Sequence, residues 1–408
     1  LDSSPTLLAR QPIFDTQRQV HAYELLFRDS DSNSASLGPE DGDSATSTLF
    51  SNLFAGVGLE EMVGDAPAFI NFTRTLLLQR INLDPDRYVI EILEGTEVDH
   101  ELLEALVHYQ KMGVKIALDD FVLTPDTEQL LPFADYVKVD VLAQTRDQIG
   151  QVVSLLSSYS VTLLAEKVEN YQAFEFCRRL GFKLFQGYFL CKPENIKGKR
   201  LDSNRLIVFK LLELIQDPDV HFSQLSAVID KDPNLSIKLI KLVNSAFYRR
   251  NRSIESIQQA VTMLGLGEIK TLATMLSLAN LSDKPDALVV TALARANMME
   301  QLGKSANLDP GPLFLAGILS LMDAFMDRLL PELIEGLSVS AEIKTALLEF
   351  KGDIGELLKA CILFEQAHWQ KINWERLDAL GVQPESLRSA YLGGIRVARQ
   401  VADQLHQT

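Results

Sequence analysis

Between Pro67 and Leu190 the chain alternates short β-branched or aromatic runs with amphipathic stretches, each repeat taking roughly 20–27 residues, the rhythm of βα units. The runs predict strands at 68–72 (AFINF), 88–94 (YVIEILE), 114–120 (VKIALDD), 136–140 (YVKVD), 161–166 (VTLLAE) and 183–190 (KLFQGYFL). Their apolar content is nearly continuous, as expected of parallel strands buried on both faces. The stretch DHELLEALVHYQKMG predicts a helix capped by Asp99 at its start and closed by Gly113. Two further strands, near Pro12 to Phe14 and Val20 to Phe27, precede the series and give the barrel an irregular start.

After Cys191-Lys-Pro the strand pattern stops, and KPENIKGKRLDSN is a polar, glycine-containing stretch suited to a domain junction. The remainder reads as helices. In DPNLSIKLIKLVNSAF, Asp232 serves as N-cap and Pro233 as first helical residue; SLRSAYLGGIRVARQVADQL forms another helix near the end. A chain of 408 residues exceeds the size at which one core usually stops growing, so two domains are expected. The fold class is α/β plus all-α: a modified TIM-like (β/α) barrel over residues 1–198, then a helical domain over 199–408.

The last residues of the predicted strands are polar: Glu24, Asn71, Glu91 with Glu94, Asp119 with Asp120, Lys138 with Asp140, Glu166 and Gln186. One carboxylate at a strand end is more often a turn-former or a helix cap. A barrel, however, gathers all its strand ends at one mouth, so a succession of such endings points to a site. Carboxylate and amide oxygens with few histidines suit hard cations such as Mg²⁺ or Mn²⁺. The adjacent Asp119 and Asp120 suit a pair of ions poised for phosphodiester cleavage. Lys138 has two readings: it orients or deprotonates the attacking water, or it forms an internal ion pair with Asp140.

Charge sharpens this picture. The net charge of −16 is uneven, since residues 1–200 carry 18 basic and 30 acidic groups, leaving 21 and 25 for the rest. Acid is concentrated where metal is expected, and the balance disfavours nucleic acid, whose nonspecific binding needs Lys and Arg on phosphates. The cysteines Cys177, Cys191 and Cys361 are widely spaced, which fits neither a disulfide framework nor a cysteine-rich zinc site. No run is long and apolar enough to span a membrane, and the first residues lack a signal-peptide pattern, so a cytoplasmic location is expected.

The segments HAYELLFRD, FINFT, EILEG, ALDDF, YVKVD, AEKVE and FQGYFLCKP, in this order, resemble the EAL domain of bacterial cyclic di-GMP signalling. The resemblance implies a phosphodiesterase that opens cyclic di-GMP to linear pGpG with Mg²⁺ or Mn²⁺. It places metal ligands at Glu24, Asn71, Glu91, Asp119 and Asp120, catalytic groups at Lys138 and Glu166, and substrate or site support at Arg28 and Gln186. Glu94, Asp140 and Glu169 complete the supporting set. Departures from the family pattern are Leu25 for alanine, Leu93 for threonine, Lys167 for glycine, and Val122-Leu123-Thr124-Pro125 in place of a glycine-containing loop. The first three are expected to crowd the mouth, and the last to stiffen the backbone beside the ligands.

The helical half, through LLELIQDPDVHFSQLSAVIDKDPNLSIKLIKLVNSAFYRR and SIESIQQAVTMLGLGEIKTLATM, resembles the HDOD domain, a helical relative of HD phosphohydrolases. It carries only His221, His368 and His406, and the place of the His-Asp pair reads Gly317-Ile-Leu-Ser320-Leu321, so no hydrolase chemistry is expected there. Lys238, Lys241, Arg249, Arg250 and Arg252 form its densest basic region, better explained by a solvated face or a domain contact than by nucleic acid. Met263, Met275, Met298, Met299, Met322 and Met326 are expected to fill the core. The preferred reading is a signalling regulator. Its degenerate EAL domain binds metal, cyclic di-GMP or a protein, and its HDOD domain serves as a protein-interaction or output module; the sequence leaves the oligomeric state open, a homodimer among the options. The alternative is an active, metal-dependent cyclic di-GMP phosphodiesterase.

Overall fold

The computed structural model describes residues 6–29, 62–194, 207–208, 210–212, 214, 219–229, 232–244, 254–279, 284–335, 337 and 339–406. The chain divides into two compact units: Leu1–Lys192 with Leu363–Ile372, and Pro193–Ile362 with Asn373–Thr408.

The first unit is a closed eight-stranded barrel in sequence order: β1 (Thr6–Phe14), β2 (Val20–Asp29), β3 (Ala68–Phe72), β4 (Tyr88–Ile92), β5 (Lys115–Leu118), β6 (Tyr136–Asp140), β7 (Thr162–Glu166) and β8 (Leu184–Gln186). From β2 onward neighbouring strands are parallel, whereas β1 runs antiparallel to both β2 and β8. The irregular start has a local cause. The turn after Phe14 is too short for a crossover, so the chain can only fold back as a hairpin. Asp15 Oδ1 accepts the backbone N–H groups of Gln17 and Gln19, and Arg18 adopts φ +68°, which closes the turn.

Helices α1 (Arg74–Leu78), α2 (His100–Lys111), α3 (Pro125–Leu130), α4 (Arg146–Leu156) and α5 (Tyr171–Leu180) follow successive strands. Asp99 caps α2 through Leu102 N–H at 2.9 Å, and Gly113 turns the chain at φ +80°, as the sequence predicts. The strand predictions run long at three places. β5 stops at Leu118, before Asp119 and Asp120. β4 stops at Ile92, leaving Glu94 exposed in a turn, and β8 stops at Gln186 because Gly187 turns the backbone at φ +146°. A side chain at residue 187 would put its Cβ 2.3 Å from the Val168 carbonyl oxygen. Gly187→Ala is therefore expected to destabilise the barrel by about 3 kcal/mol, read as a shift in its urea midpoint.

The barrel core holds a ring of one buried residue from each strand: Ile13, Ala22, Phe69, Val89, Ala117, Tyr136, Leu164 and Leu184. This ring is the floor of what lies above it.

In the second unit every described element is helical, from Phe222–Ile229 to Pro384–His406. Asp232 and Pro233 open the helix Pro233–Val243 as predicted. The helices Asp286–Ser305 and Pro310–Leu319 pack closely because Gly317 brings backbones together; a Cβ there would meet Ala296 Cα at 2.5 Å. Close packing thus occupies the place where a His-Asp pair was sought. Ser320 next to it accepts from buried Arg295 at 2.9 Å and donates to the Gly317 carbonyl. Met298, Met299, Met322 and Met326 are buried as expected. Met263 is exposed, and the Met275 side chain lies outside the described residues. Lys241 is exposed and Lys238 half-buried on Pro233–Val243; Arg249, Arg250 and Arg252 lie outside the described residues. None of Cys177, Cys191 and Cys361 forms a disulfide. No described helix is long and apolar enough to cross a membrane.

Candidate metal and phosphodiester site

Successive side chains on a strand point to opposite faces, so the residue two places after each floor residue points into the barrel one layer higher. Applied to the floor ring, that step leads from Ala22 to Glu24, Phe69 to Asn71, Val89 to Glu91, Ala117 to Asp119, Tyr136 to Lys138, Leu164 to Glu166 and Leu184 to Gln186. Because β1 runs the other way, its residue in the upper layer lies two places before Ile13, at Gln11. The register places Gln11 opposite Glu24. A layer that is entirely apolar is thus followed by one that is entirely polar.

Lys138 is the centre of the polar layer. Its ammonium lies 2.6 Å from Glu91 Oε1, 2.7 Å from Asp119 Oδ1, 2.9 Å from Glu166 Oε1 and 3.3 Å from Glu24 Oε2. Four carboxylates around one ammonium leave an excess of three negative charges if all are ionised, in a place where Lys138 and Glu91 are essentially out of contact with water. Such an excess is expensive, and it is relieved by protons or by a bound cation. Burial, reinforced by the charge of Glu24, holds the Glu91 carboxyl well above its ordinary range despite Lys138. Burial likewise pushes Glu166 up to about 8, with Lys138 opposing and Asp119 and Glu24 adding to the rise. Burial alone would lower the Lys138 pKa, but Glu166, Glu24, Glu91 and Asp119 outweigh it and hold the group well above its ordinary value as an ammonium.

Amides steady the carboxylates. Gln186 Nε2 donates to Glu24 Oε2 at 2.6 Å and to Gln11 Oε1 at 2.8 Å, and Asn71 Nδ2 donates to Glu24 Oε1 at 3.2 Å. Gln11 continues the path to the Tyr188 hydroxyl at 3.3 Å, which donates to the Glu365 carbonyl at 3.3 Å. Glu365 belongs to the segment Leu363–Ile372, which packs with the barrel although it lies far along the helical sequence.

Several buried oxygens in this layer have no hydrogen-bond donor, Asn71 Oδ1, Gln186 Oε1 and Glu91 Oε2 among them, and Glu91 Oε1 faces Lys138 alone at 2.6 Å. Oxygen donors in charge excess, some without a partner, fit a hard divalent cation. As the side chains stand, Lys138 takes the central place, and among the described residues no three carboxylate, imidazole or thiolate groups are arranged to clasp an ion by themselves.

The remaining predicted site residues fall elsewhere. Asp120 and Asp140 are half-buried and share Lys167, whose ammonium lies 3.4 Å from Asp120 Oδ1 and 2.5 Å from Asp140 Oδ2. Lys167, and not Lys138, is therefore the ion-pair partner of Asp140. Burial raises the Asp140 pKa, but Lys167 together with the Ala143 and Leu142 N–H groups brings it below its ordinary value. Glu94 and Glu169 are exposed and stand outside the polar layer. Arg28 lies on β2 opposite Leu7, with its side chain outside the described residues. Leu25, expected to crowd the mouth, is buried on the opposite side of β2 from Glu24, away from the polar layer. The Val122–Pro125 loop is a capping turn. Thr124 and Thr127 form a reciprocal capping box at the start of α3, and Thr127 Oγ1 donates to the Val122 carbonyl at 2.7 Å.

Comparison with known proteins places these features in a family. The EAL domain family matches residues 54–193 and the HDOD domain family residues 203–356. The uncharacterized protein YuxH of Bacillus subtilis is 33% identical over 97% of this chain and 98% of its own length. The cyclic di-GMP phosphodiesterase CdgJ of Vibrio cholerae is 32% identical over 97% of this chain and 93% of its own length. Among solved structures, Klebsiella pneumoniae BlrP1 in a calcium and cyclic di-GMP complex is 24% identical over 46% of this chain and 56% of that one, with a TM-score of 0.39. The full-length matches and the two domain matches agree: the chain belongs to the EAL–HDOD family of signalling proteins related to cyclic di-GMP phosphodiesterases.

Proposed function

We propose that the barrel is a divalent-metal-dependent phosphodiesterase that opens cyclic di-GMP to linear pGpG. The observation that carries this reading is Glu91: fully buried, with Lys138 as the one donor near its carboxylate, inside a cluster of four carboxylates around a single ammonium. Similarity to CdgJ along nearly the whole chain supports it. Glu24, Asn71, Glu91 and Asp119 would hold Mg²⁺ or Mn²⁺, with Glu166 in support. When bound, such an ion supplies Lewis acidity towards a phosphoryl oxygen and acidifies water. Lys138, held as an ammonium, orients an attacking water as a donor and offsets charge that develops on the phosphodiester. Gln186 and Asn71 fix the Glu24 carboxylate, and Gln11 holds Gln186. The helical unit, where Gly317-Ile-Leu-Ser320 stands in place of a His-Asp pair, is assigned a protein-interaction or output role.

The test is incubation of the purified full chain with cyclic di-GMP and Mg²⁺ or Mn²⁺, with pGpG followed by chromatography. Turnover should appear, vanish with a chelator, and fall at least about a hundredfold in Glu91→Gln. No pGpG, or turnover indifferent to Glu91→Gln, would sink the reading. A second reading, binding without hydrolysis, is favoured by one observation: Asp120 is engaged by Lys167 beside a loop fixed as a capping turn. Heat of cyclic di-GMP binding without pGpG formation would select it.

A further inference from the structure

The mouth has two tiers of charge. The lower one centres on Lys138, a single ammonium for four carboxylates; the upper one has Lys167 for two. Asp120 follows Asp119 on the loop after β5, Asp140 ends β6, and Lys167 follows Glu166 at the end of β7, so each upper residue belongs to a strand that also supplies the lower cluster. Asp140 is fully engaged. Its Oδ1 accepts the Leu142 and Ala143 N–H groups at 2.8 and 2.9 Å, and its Oδ2 faces Lys167. For the Asp120 side chain, Lys167 is the only polar partner among the described residues. The backbone bends to make this contact. Lys167 sits at φ +56° and Asp120 at φ +40°, left-handed conformations that cost a lysine about 1–2 kcal/mol.

We propose that Lys167 is a tethered cation that sets how many divalent ions the mouth accepts, its ammonium standing between Asp120 and Asp140 where a further ion would otherwise bind. This rests on the metal-dependent reading of the lower cluster, where the buried Glu91 Oε2 and Asn71 Oδ1 have no hydrogen-bond donor. Two consequences follow from charge. With Lys167 in place, Asp120 is neutralised and a cation approaching it meets a like charge. With Lys167 gone, Asp120 is released beside Asp140, and two carboxylates without a counter-ion are added to a mouth already in negative excess. Affinity of hard cations rises with the number of ligand charges and falls beside a like charge.

The experiment counts Mn²⁺ ions bound per full chain, by equilibrium dialysis and calorimetry, in wild type, Lys167→Gly, Lys167→Met and Lys167→Arg. Glycine relieves the backbone strain and removes the charge. Methionine keeps the side-chain length and the strain but removes the charge, so agreement between these two variants isolates the ammonium. Both should bind one more Mn²⁺ per chain than wild type, and combination with Asp120→Asn should abolish the added ion. Lys167→Arg should match wild type. The added site should be on the order of tenfold or more tighter than any weak binding at that place in wild type. Equal counts and equal midpoints in wild type and Lys167→Met would overturn the proposal. The wild-type count tests something else. If wild type binds no ion, the metal-dependent reading fails, whereas the assignment to Lys167 is decided by the difference between variant and wild type.

Discussion

Lys138→Met should lower the stability of the barrel by about 3–5 kcal/mol near neutral pH in the absence of metal, the cost expected when one partner of a buried ionic cluster is removed. Methionine fills nearly the same volume, so the loss is electrostatic and not a cavity. It leaves Glu24, Glu91, Asp119 and Glu166 facing one another with no cation among them. Two signatures separate this from ordinary core damage. Acid should restore stability, because each proton taken up by the cluster removes one repelling charge. Mn²⁺ should stabilise the variant more than wild type, because a ligand that binds only the folded state adds stability in proportion to the logarithm of its concentration over its Kd. Chain composition provides a probe: of the two tryptophans, Trp369 is buried and packs with the barrel unit, so its fluorescence in a Trp374→Phe background reports barrel unfolding. A urea midpoint at pH 7.5 with chelator that does not move in Lys138→Met would show that the four carboxylates do not depend on the ammonium.

The polar layer was legible in the sequence because two regularities coincide there. Strands alternate with a period of two, and parallel strands end at one mouth, so Glu24, Asn71, Glu91, Asp119, Lys138, Glu166 and Gln186 could be picked from strand ends alone. The same rule missed Gln11. It assumes that every strand points to the mouth, and β1 points away from it; the signal was the short DTQRQ turn, which forces a hairpin and reverses the count. Glu94, counted as a strand end, falls outside the layer for the opposite reason. Alternation says nothing about where a strand stops, and past Ile92 the chain leaves the barrel wall. Asp120 and Lys167 turn on the sign of φ, which residue type constrains only weakly. Nor does any local pattern announce that Leu363–Ile372, inside a helical sequence, packs with the barrel, since that placement is set by tertiary packing alone.

The metal-free protein and its metal affinity should respond to pH in opposite directions. Glu166 is raised from the ordinary carboxylate range to about 8, and Glu91 is raised well above it, in both cases because burial disfavours the charged form. A folded-state pKa above the unfolded value means that the fold holds a proton the unfolded chain has released. The associated stability is complete below the ordinary carboxylate pKa and is lost as pH climbs through the folded value. Between about pH 5 and pH 8 the metal-free barrel should therefore weaken, with a slope of up to about 1.4 kcal/mol per pH unit for each such group. Glu166→Gln, which carries a neutral group of the same shape, should flatten that slope. Metal reverses the direction. Carboxylate ligands bind an ion in their deprotonated form, so binding expels the protons that the fold retains. Mn²⁺ affinity should thus rise about tenfold per pH unit for each proton released over the same interval, with the contribution of Glu166 levelling off above about pH 8. Calorimetry in buffers of different ionisation enthalpy gives the proton count directly. Binding that releases no proton at pH 6.5, or stability that climbs with pH in the absence of metal, would mean that the cluster is fully ionised in the fold and that its charge excess is met in some other way.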